Sequence, residues 1–181
     1  MSIRTVIKPA ILAIAAAALA NAAALAAPAD AALPVPQHLA AAPGATTEAA
    51  LLAARRYAAF WNTGDPAWVE LALAPTFTDH TLPAGRAQGP AGPLQASRGF
   101  RAAVPDLRAE VTEMVAAGDR VSVRLHFSGH FTGQFGKVQG RGQVIDFQAF
   151  DLYRVADGRI TDNWHLEDNQ TLLQQMGIVQ R

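Results

Sequence analysis

Four segments in the second half of the chain alternate apolar and polar residues, and this pattern constrains the fold more than any other feature. A period of two places successive side chains on opposite faces of a strand. The segments are residues 107–119, 120–131, 142–158 and 159–168. Glycine-containing breaks separate them, as expected for hairpins. The sequence therefore predicts a long antiparallel sheet.

The residues before these segments have the spacing of amphipathic helices. Asn62-Thr63-Gly64 ends the first helix, and Asp65 with Pro66 is a typical start for the second. The pattern predicts helices over residues 48–61, 65–74, 93–104 and 169–178, with a short strand at 77–82. Helices followed by strands indicate an α+β domain, in which three N-terminal helices cover one face of a curved sheet and a short helix closes the chain.

Residues 1–26 have the pattern of a cleavable signal peptide. Arg4 and Lys8 precede an alanine-rich apolar run that ends in Ala24-Leu25-Ala26. Asn21 interrupts the run, which makes it less apolar than the roughly 20 residues of a spanning anchor. We expect cleavage after Ala26 and a periplasmic or secreted protein that meets the membrane only through this peptide. An uncleaved anchor is the alternative.

The composition after the signal peptide predicts a tether and one domain. Residues 27–46 are mostly Ala and Pro, which is typical of a linker. Residues 47–181 are enough for a single core. Fifteen basic residues balance fifteen acidic ones, which argues against nucleic acid or an anionic membrane surface as a partner. The chain has no cysteine, so packing alone must stabilise it.

Several short motifs together point to a known family. They are YAAFWNTGD (57–65), FTDH (77–80), PDLRAEV (105–111), FSGHFTGQF (127–135), FDLYRVADGRITDNW (150–164) and W-x3-D with QQMG (164, 168, 174–177). The set resembles the SnoaL-like polyketide or ester cyclase family of the NTF2-like, cystatin-like superfamily, from about residue 47 onward. The resemblance implies a cone-shaped barrel, a small apolar carbonyl ligand and an intramolecular aldol-type ring closure without a cofactor.

Asp168 is the first catalytic candidate. It follows Trp164 by four residues at the end of a predicted strand, where the resemblance implies the general acid/base carboxylate of the family. Burial would raise the pKa of such a carboxyl group towards the working pH. The alternative is that Asp168 caps the last helix, because NQTLL follows it.

His80 is the second catalytic candidate. It ends the FTDH strand, and the resemblance implies that it points inwards to orient or polarise a carbonyl group. Neighbouring strand residues face opposite sides, so only one of Asp79 and His80 can line the cavity. The alternative is an ordinary surface histidine.

Six further residues are expected to shape the ligand cavity. They are Tyr57, Trp61, Phe150, Asp151, Trp164 and His165. We expect Trp164 inside and His165 outside unless a β-bulge turns it, and His165 is therefore a weaker candidate. Asp151 is expected to bond Trp164 or a backbone donor rather than to catalyse.

No metal or cofactor is expected. His126 and His130 are about 13 Å apart if they lie on one strand, and no third ligand is near in sequence. His130 is also displaced by one place from the family pattern. The sequence has no cysteine nucleophile, G-x-S-x-G turn, phosphate-binding glycine loop or H-E-x-x-H helix.

The leading hypothesis is an exported acid/base enzyme in which Asp168 moves a proton. One alternative is a binding protein for a small hydrophobic ligand, and another is a hydrolase or isomerase acting on a different carbonyl compound. A homodimer is possible, since sheets of this kind often pair.

Overall fold

The computed structural model describes residues 30–180, so the predicted signal peptide lies outside the described residues. After a 3-10 turn at Asp30–Ala32, the elements are β1 (His38–Ala41), α1 (Ala45–Thr63), α2 (Pro66–Ala72), β2 (Leu73–Asp79), α3 (Ala91–Ala103), β3 (Arg108–Ala117), β4 (Arg120–Phe131), β5 (Gln134–Phe135), β6 (Val138–Gln139), β7 (Gln143–Ala156), β8 (Arg159–Glu167) and α4 (Asn169–Gln175). Within this range, no helix has the length and hydropathy needed to cross a membrane.

Six strands form one curved sheet in the order β1-β3-β4-β7-β8-β2, and β5 pairs with β6 separately. The α+β class and the central antiparallel strands are confirmed. Two details differ from the prediction. The sheet of the described chain is open rather than closed into a barrel, and both edge strands pair in parallel, β1 with β3 and β2 with β8. The helices between the paired strands provide the long connections that parallel pairing needs.

Part of the segment predicted to be a tether is folded. Strand β1 lies within residues 27–46 and pairs with β3, whose edge would otherwise be open. Leu33 packs into the core at 4% exposure. The Arg55 side chain donates from Nε to the Pro34 carbonyl at 2.8 Å and from Nη2 to the Leu33 carbonyl at 3.2 Å. The folded domain therefore begins before the predicted residue 47.

Helix α1 packs closely on the sheet because its buried face is mostly alanine. The buried residues of this face include Ala50, Ala53, Ala54, Tyr57, Ala58 and Phe60. Gly64 ends the helix with a φ of 75° and donates its N–H to the Phe60 carbonyl at 2.7 Å. A Cβ atom at Gly64 would also meet Arg101 Nε at 2.6 Å. The positive φ therefore favours glycine at this helix end, and any larger residue would also have to displace the Arg101 side chain.

A β-bulge in β8 decides which of its side chains face the helices. Ile160 pairs with Val155 and Asp162 pairs with Arg154, so Thr161 is an extra residue with no partner on β7. An extra residue reverses the alternation beyond it. The side chains of β8 that face inwards after the bulge are Asn163, His165 and Glu167.

Candidate functional site

A cavity of about 450 Å³ lies between α1, α3 and the inner face of β4, β7 and β8. Its walls are mainly apolar, and they include Trp61, Phe100, Leu125, Phe127, Phe147 and Leu172. The Phe127 and Phe147 rings stack with centroids 5.2 Å apart. This volume and lining suit a small organic molecule.

Polar side chains from α1 and three strands are grouped on one part of the cavity wall. They are Tyr57 of α1, Asp79 of β2, Asp151 of β7 and Asn163, His165 and Glu167 of β8. The strand register brings them together, because Asp151 is opposite His165 and Asp79 is opposite Asn163. Cross-strand neighbours on one face are within reach of each other's side chains.

His165 is held between two carboxylates. Its Nε2 atom lies 3.0 and 3.1 Å from the Asp79 carboxylate oxygens, and its Nδ1 atom lies 2.7 Å from Glu167 Oε1. Burial disfavours the charged imidazole, but the hydrogen bonds and charges of Glu167 and Asp79 outweigh it and raise the pKa of His165 to about 9. His165 is therefore a fixed positive charge at neutral pH, with both nitrogens in use.

Thr81 fixes the position of this ion pair. Its backbone N–H donates to Asp79 Oδ1 at 2.9 Å, and its hydroxyl oxygen accepts the backbone N–H of His165 at 2.9 Å. The end of β2 is thereby joined to the middle of β8. The Asp79 and His165 side chains are each only 7% exposed. The two charges are consequently oriented before any ligand binds.

Asp151 is the buried carboxyl group next to this ion pair. Burial raises the pKa of Asp151 to about 7, although the hydrogen bond from Asn163 and the charge of His165 oppose the rise. The Asn163 Nδ2 atom donates to Asp151 Oδ1 at 3.0 Å. Both protonation states of Asp151 are populated near neutral pH. The group is therefore suited to taking and returning a proton.

Two more polar groups are available beside Asp151. The Asn163 Oδ1 atom is buried and has no hydrogen-bond partner within residues 30–180. A ligand donor would satisfy it, and an unsatisfied buried acceptor is costly. Burial and the nearby Asp151 charge raise the pKa of Tyr57 well above its usual value. Its hydroxyl group therefore remains protonated and can donate a hydrogen bond.

Four of the residues named from the sequence line the cavity: Tyr57, Trp61, Asp151 and His165. Their roles in binding remain predictions. Asp151 accepts a hydrogen bond from Asn163 rather than from Trp164 or the backbone. His165 faces inwards because of the bulge at Thr161, which is the exception foreseen for it.

Asp168 does not line the cavity, so the prediction that its side chain lies inside the cavity is wrong. Its Oδ1 atom accepts the Thr171 backbone N–H at 3.0 Å, and its Oδ2 atom accepts the Thr171 hydroxyl at 2.7 Å. These hydrogen bonds lower the pKa of the exposed Asp168. Strand β8 ends at Glu167, and Asp168 is the N-cap of α4. The alternative assignment as a cap is confirmed.

His80 and Trp164 lie on the outer face of the sheet, contrary to the prediction that both face inwards. The two rings are stacked with centroids 4.3 Å apart, and His80 Nε2 lies 2.8 Å from Asp162 Oδ1. Asp79, the neighbour of His80, occupies the inward position. The bulge at Thr161 explains Trp164, because it exchanges the faces of the residues that follow it.

Phe150 is also outside the cavity, where its side chain is 52% exposed. It neighbours Asp151 on β7, and the alternation of buried and exposed residues is regular along that strand. Both residues were expected to contact the ligand, although a regular strand allows only one of them to do so. Asp151 takes the inward position.

Sequence reasoning did not select Asp79, Asn163 or Glu167 as site residues. Neighbouring strand residues face opposite sides, so an outward-facing His80 would have placed Asp79 in the cavity. The sequence therefore did contain a signal for Asp79. Asn163 and Glu167 are each two residues from His165 on β8 and face the same side as it. An inward assignment of His165 would therefore also have identified Asn163 and Glu167 as site residues. Across residues 30–180, no group of three or more His, Cys, Asp or Glu side chains has an arrangement that could hold a metal ion.

Comparisons with known proteins agree with this geometry. The family model described as SnoaL-like polyketide cyclase matches residues 51–176. A candidate polyketide cyclase from Bacillus cereus ATCC 10987 has 37% sequence identity and a TM-score of 0.74, covering 82% of this chain and 95% of that chain. IdmH, a candidate polyketide cyclase from Streptomyces antibioticus, has 28% identity and a TM-score of 0.64, covering 71% and 98% respectively.

A more distant structure shares the fold alone. It is a Catenulispora acidiphila DSM 44928 protein with a ketosteroid isomerase-like fold, solved with trimethylamine. Its identity is 21% and its TM-score is 0.55, over 70% of this chain and 93% of that chain. No curated protein matches the chain.

Proposed function

Because the chain belongs to the SnoaL-like polyketide cyclase family, we propose that its cavity binds a small, largely apolar carbonyl compound and catalyses acid/base chemistry on it without a cofactor. Asp151 moves the proton. The observation that carries this proposal is the buried Asp151 carboxyl group on the cavity wall, opposite the charged His165. Its pKa of about 7 matches the requirement for a group that acts as base and then as acid.

The reaction begins with proton abstraction. The ionised Asp151 carboxylate takes a proton from the carbon next to a substrate carbonyl group, which forms an enolate. The Tyr57 hydroxyl group, which burial keeps protonated, donates a hydrogen bond to the enolate oxygen. A preorganised donor of this kind stabilises the transition state more than the uncharged substrate.

Ring closure completes the reaction. The enolate carbon attacks a second carbonyl carbon of the same molecule, so that a carbon–carbon bond forms and the second carbonyl oxygen becomes an alkoxide. Asp151 returns its proton to this alkoxide and is again ionised. The apolar walls formed by residues such as Phe127 and Phe147 hold the chain folded, which brings the two reacting carbons together.

The proton-abstraction step can be tested without knowing the natural substrate. We would follow the exchange of the α-protons of β-tetralone in deuterium oxide by proton NMR. The wild-type protein is expected to accelerate exchange, and Asp151→Asn is expected to lose at least about 100-fold of that acceleration. Asp168→Asn is the matched control, and it should exchange like the wild type because its carboxyl group is outside the cavity.

Two results would contradict the assignment. Equal exchange rates for Asp151→Asn and the wild type would remove Asp151 from the chemistry. If β-tetralone bound to the wild type without any exchange, the protein would be a binding protein for a small hydrophobic ligand. A ligand that survives purification and is identified by mass spectrometry would define the natural compound.

We also propose that the protein acts outside the cytoplasm. Support comes from the basic residues Arg4 and Lys8, the alanine-rich run and the Ala24-Leu25-Ala26 triplet. Expression of the full chain in a bacterial host should yield a periplasmic or secreted protein. Its N-terminal sequence should begin at Ala27. A cytoplasmic protein that retains residues 1–26 would contradict export.

A homodimer is proposed from the outer face of β7 and β8. Phe150, Leu152 and Leu166 form an outer apolar patch there, with exposures of 52%, 41% and 75%. Asp146 and Arg154 lie on the same face of β7, each four residues from Phe150. A two-fold axis at Phe150 would place the acidic end of one strand against the basic end of the other copy.

Sedimentation velocity tests this dimer. Leu166→Lys should dissociate it, because a charge would be buried in the apolar interface. Val35→Lys is the control, since Val35 is 77% exposed but lies outside the sheet. A wild-type monomer, or a Leu166→Lys dimer of unchanged affinity, would contradict the proposal.

A further inference from the structure

Arg86 lies on the rim of the cavity, in the loop that follows β2. Its backbone N–H donates to the Pro83 carbonyl at 3.1 Å, which closes a tight turn over Ala84 and Gly85. Gly85 has a φ of 82°, the conformation that the third residue of such a turn requires. Pro83, Ala84 and Gly85 also line the cavity. The turn therefore places Arg86 at the rim of the cavity, next to the space that a ligand would occupy.

Helix α3 holds this loop in position. The carbonyl group of Ala87 occupies the space that a Cβ atom on Gly92 would need. The Arg86 Cγ atom is 3.5 Å from the same point, so the stem of the side chain also packs against the start of α3. The Ala87 N–H donates to Gln95 Oε1 at 3.3 Å. These contacts limit where the Arg86 guanidinium group can go.

The Arg86 side chain has no hydrogen bond or ion pair to any of residues 30–180, although it is half-buried. By contrast, Arg56 and Arg154 each bind a carboxylate directly. The charge of Arg86 nevertheless reaches the cavity, because it contributes to lowering the pKa of Glu167 and opposes the rise in the pKa of Tyr57. The cavity thus has a cation at its rim whose side-chain donors have no acceptor among residues 30–180.

Among residues 30–180, Arg86 is a cavity-lining cation with no carboxylate bound to it. Asp79 and Glu167 are already bound to His165, whose charge they share. Neither carboxylate forms an ion pair with Arg86. A guanidinium group presents donors in a planar fork that matches a carboxylate, and this recognition is stronger where water is partly excluded.

We propose that Arg86 binds the anionic group of the ligand, so that the cavity selects small carbonyl compounds that carry a carboxylate or an equivalent oxyanion. This inference rests on the proposed function in that the same cavity is the ligand site. It deepens that proposal by assigning a charge to the substrate. Arg86 anchors the anion, and the carbonyl part of the molecule extends along the apolar walls towards Asp151 and Asn163.

A pair of fluorescent probes with one aromatic framework tests the assignment. Anilinonaphthalene sulfonate is an anion, and phenyl naphthylamine is its neutral counterpart. Arg86→Met keeps an apolar stem of similar length but removes the charge. We expect this variant to bind the sulfonate about tenfold more weakly, the size of one lost charged hydrogen bond, and to bind the neutral probe within about twofold of wild type.

Two further variants complete the experiment. Arg98→Met removes an exposed arginine of α3 that does not line the cavity, and it should change neither affinity. Arg86→Lys should restore part of the preference for the sulfonate, because it restores the charge without the fork. An equal loss for both probes in Arg86→Met, or no loss for either, would overturn the proposal.

The outcome is independent of the catalytic assignment. Probe binding needs no turnover, so the role of Arg86 can stand even if Asp151→Asn leaves proton exchange unchanged. Conversely, the experiments could show that proton exchange depends on Asp151 while Arg86→Met leaves the probe preference unchanged. That pair of results would leave the proposed function in place and remove only the anion site.

Discussion

A histidine bound to an acidic side chain lies against each face of the β7–β8 strand pair, but in the described chain only the inner face forms a cavity. On the inner face, His165 lies between Asp79 and Glu167, and its side chain is 7% exposed. On the outer face, His80 contacts Asp162 at 2.8 Å, and its side chain is 36% exposed. The residue types are therefore nearly the same on both faces, while their surroundings differ.

The difference lies in how the acids are compensated. Burial would raise the pKa of Asp162, but hydrogen bonds from His80, Thr161 and Arg154 and the Arg154 charge outweigh it, so the pKa is lowered. On the inner face, Asp151 has no hydrogen bond to a cation among its contacts within the described chain, and burial raises its pKa to about 7. Histidine–carboxylate pairs alone do not indicate a catalytic site. A buried acid beside such a pair, and not bonded to it, is the stronger signal.

Insertion of one alanine between Asp162 and Asn163 should have the largest effect on the two faces. With Thr161 still unpaired and Asp162 still opposite Arg154, the added residue would move Trp164 opposite Asp151 on the inner face and His165 to the outer face. We expect the free energy of unfolding, measured by urea denaturation, to fall by at least about 5 kcal/mol. Deletion of Thr161 is the control and should cost much less, because it removes the bulge but leaves Asp162 to Glu167 opposite their present partners on β7. An insertion variant with the wild-type midpoint would show that the register after Asp162 does not set the faces.

Replacement of each histidine should have the second largest effect, and the loss of stability should differ between the two faces. His165→Ala leaves the buried Asp79 carboxylate and Glu167 without their shared cation, so the free energy of unfolding should fall by about 3 to 4 kcal/mol. His80→Ala removes a partly exposed contact and should cost about 1 kcal/mol or less. Both values come from urea denaturation at neutral pH. Equal losses would contradict the contrast between the faces.

The pH dependence of the free energy of unfolding should depend on His165 of the inner face. The folded-state pKa of His165 is about 9, above its unfolded value of 6.5, so the folded state binds more protons between these pH values. Its contribution is fully present below pH 6.5 and is lost as the pH rises through about 9. The free energy of unfolding should fall by about 3 kcal/mol over this range. In His165→Gln the part of this fall that His165 contributes should be absent, while the titration of Asp151 remains, so the difference from wild type narrows as pH rises.

The smallest effect is expected at Asp168, the acidic residue that the sequence favoured as the catalytic group. Asp168→Ala removes the N-cap of α4 and should lower the urea midpoint slightly without changing the slope. Asp168→Asn should keep the midpoint, because asparagine caps helices equally well. Proton exchange on β-tetralone should be unaffected in both variants. Loss of exchange in Asp168→Asn, with its cap intact, would restore Asp168 as a catalytic residue.

Local patterns predicted most of the elements, because the forces that form them act over short stretches. Asp65 and Pro66 start α2 as predicted, and the Asp65 side chain accepts the Ala67 N–H at 2.9 Å. The strands of the central sheet follow their alternating patterns. Strand β1 was not predicted, since four exposed residues in an Ala/Pro-rich segment have no periodic signal of their own. Only the open edge of β3 makes them a strand.

The sequence alone determined the α+β class, the family and four residues of the cavity, since composition, periodicity and motif are properties of consecutive residues. Tertiary structure decided which face of β8 carries the chemistry. One unpaired residue, Thr161, reverses the alternation and places His165 rather than Trp164 against Asp151. The identity of the residues in that strand is compatible with either arrangement. Pairing with β7 selects one of them, because the register is a property of two strands and cannot be read from one.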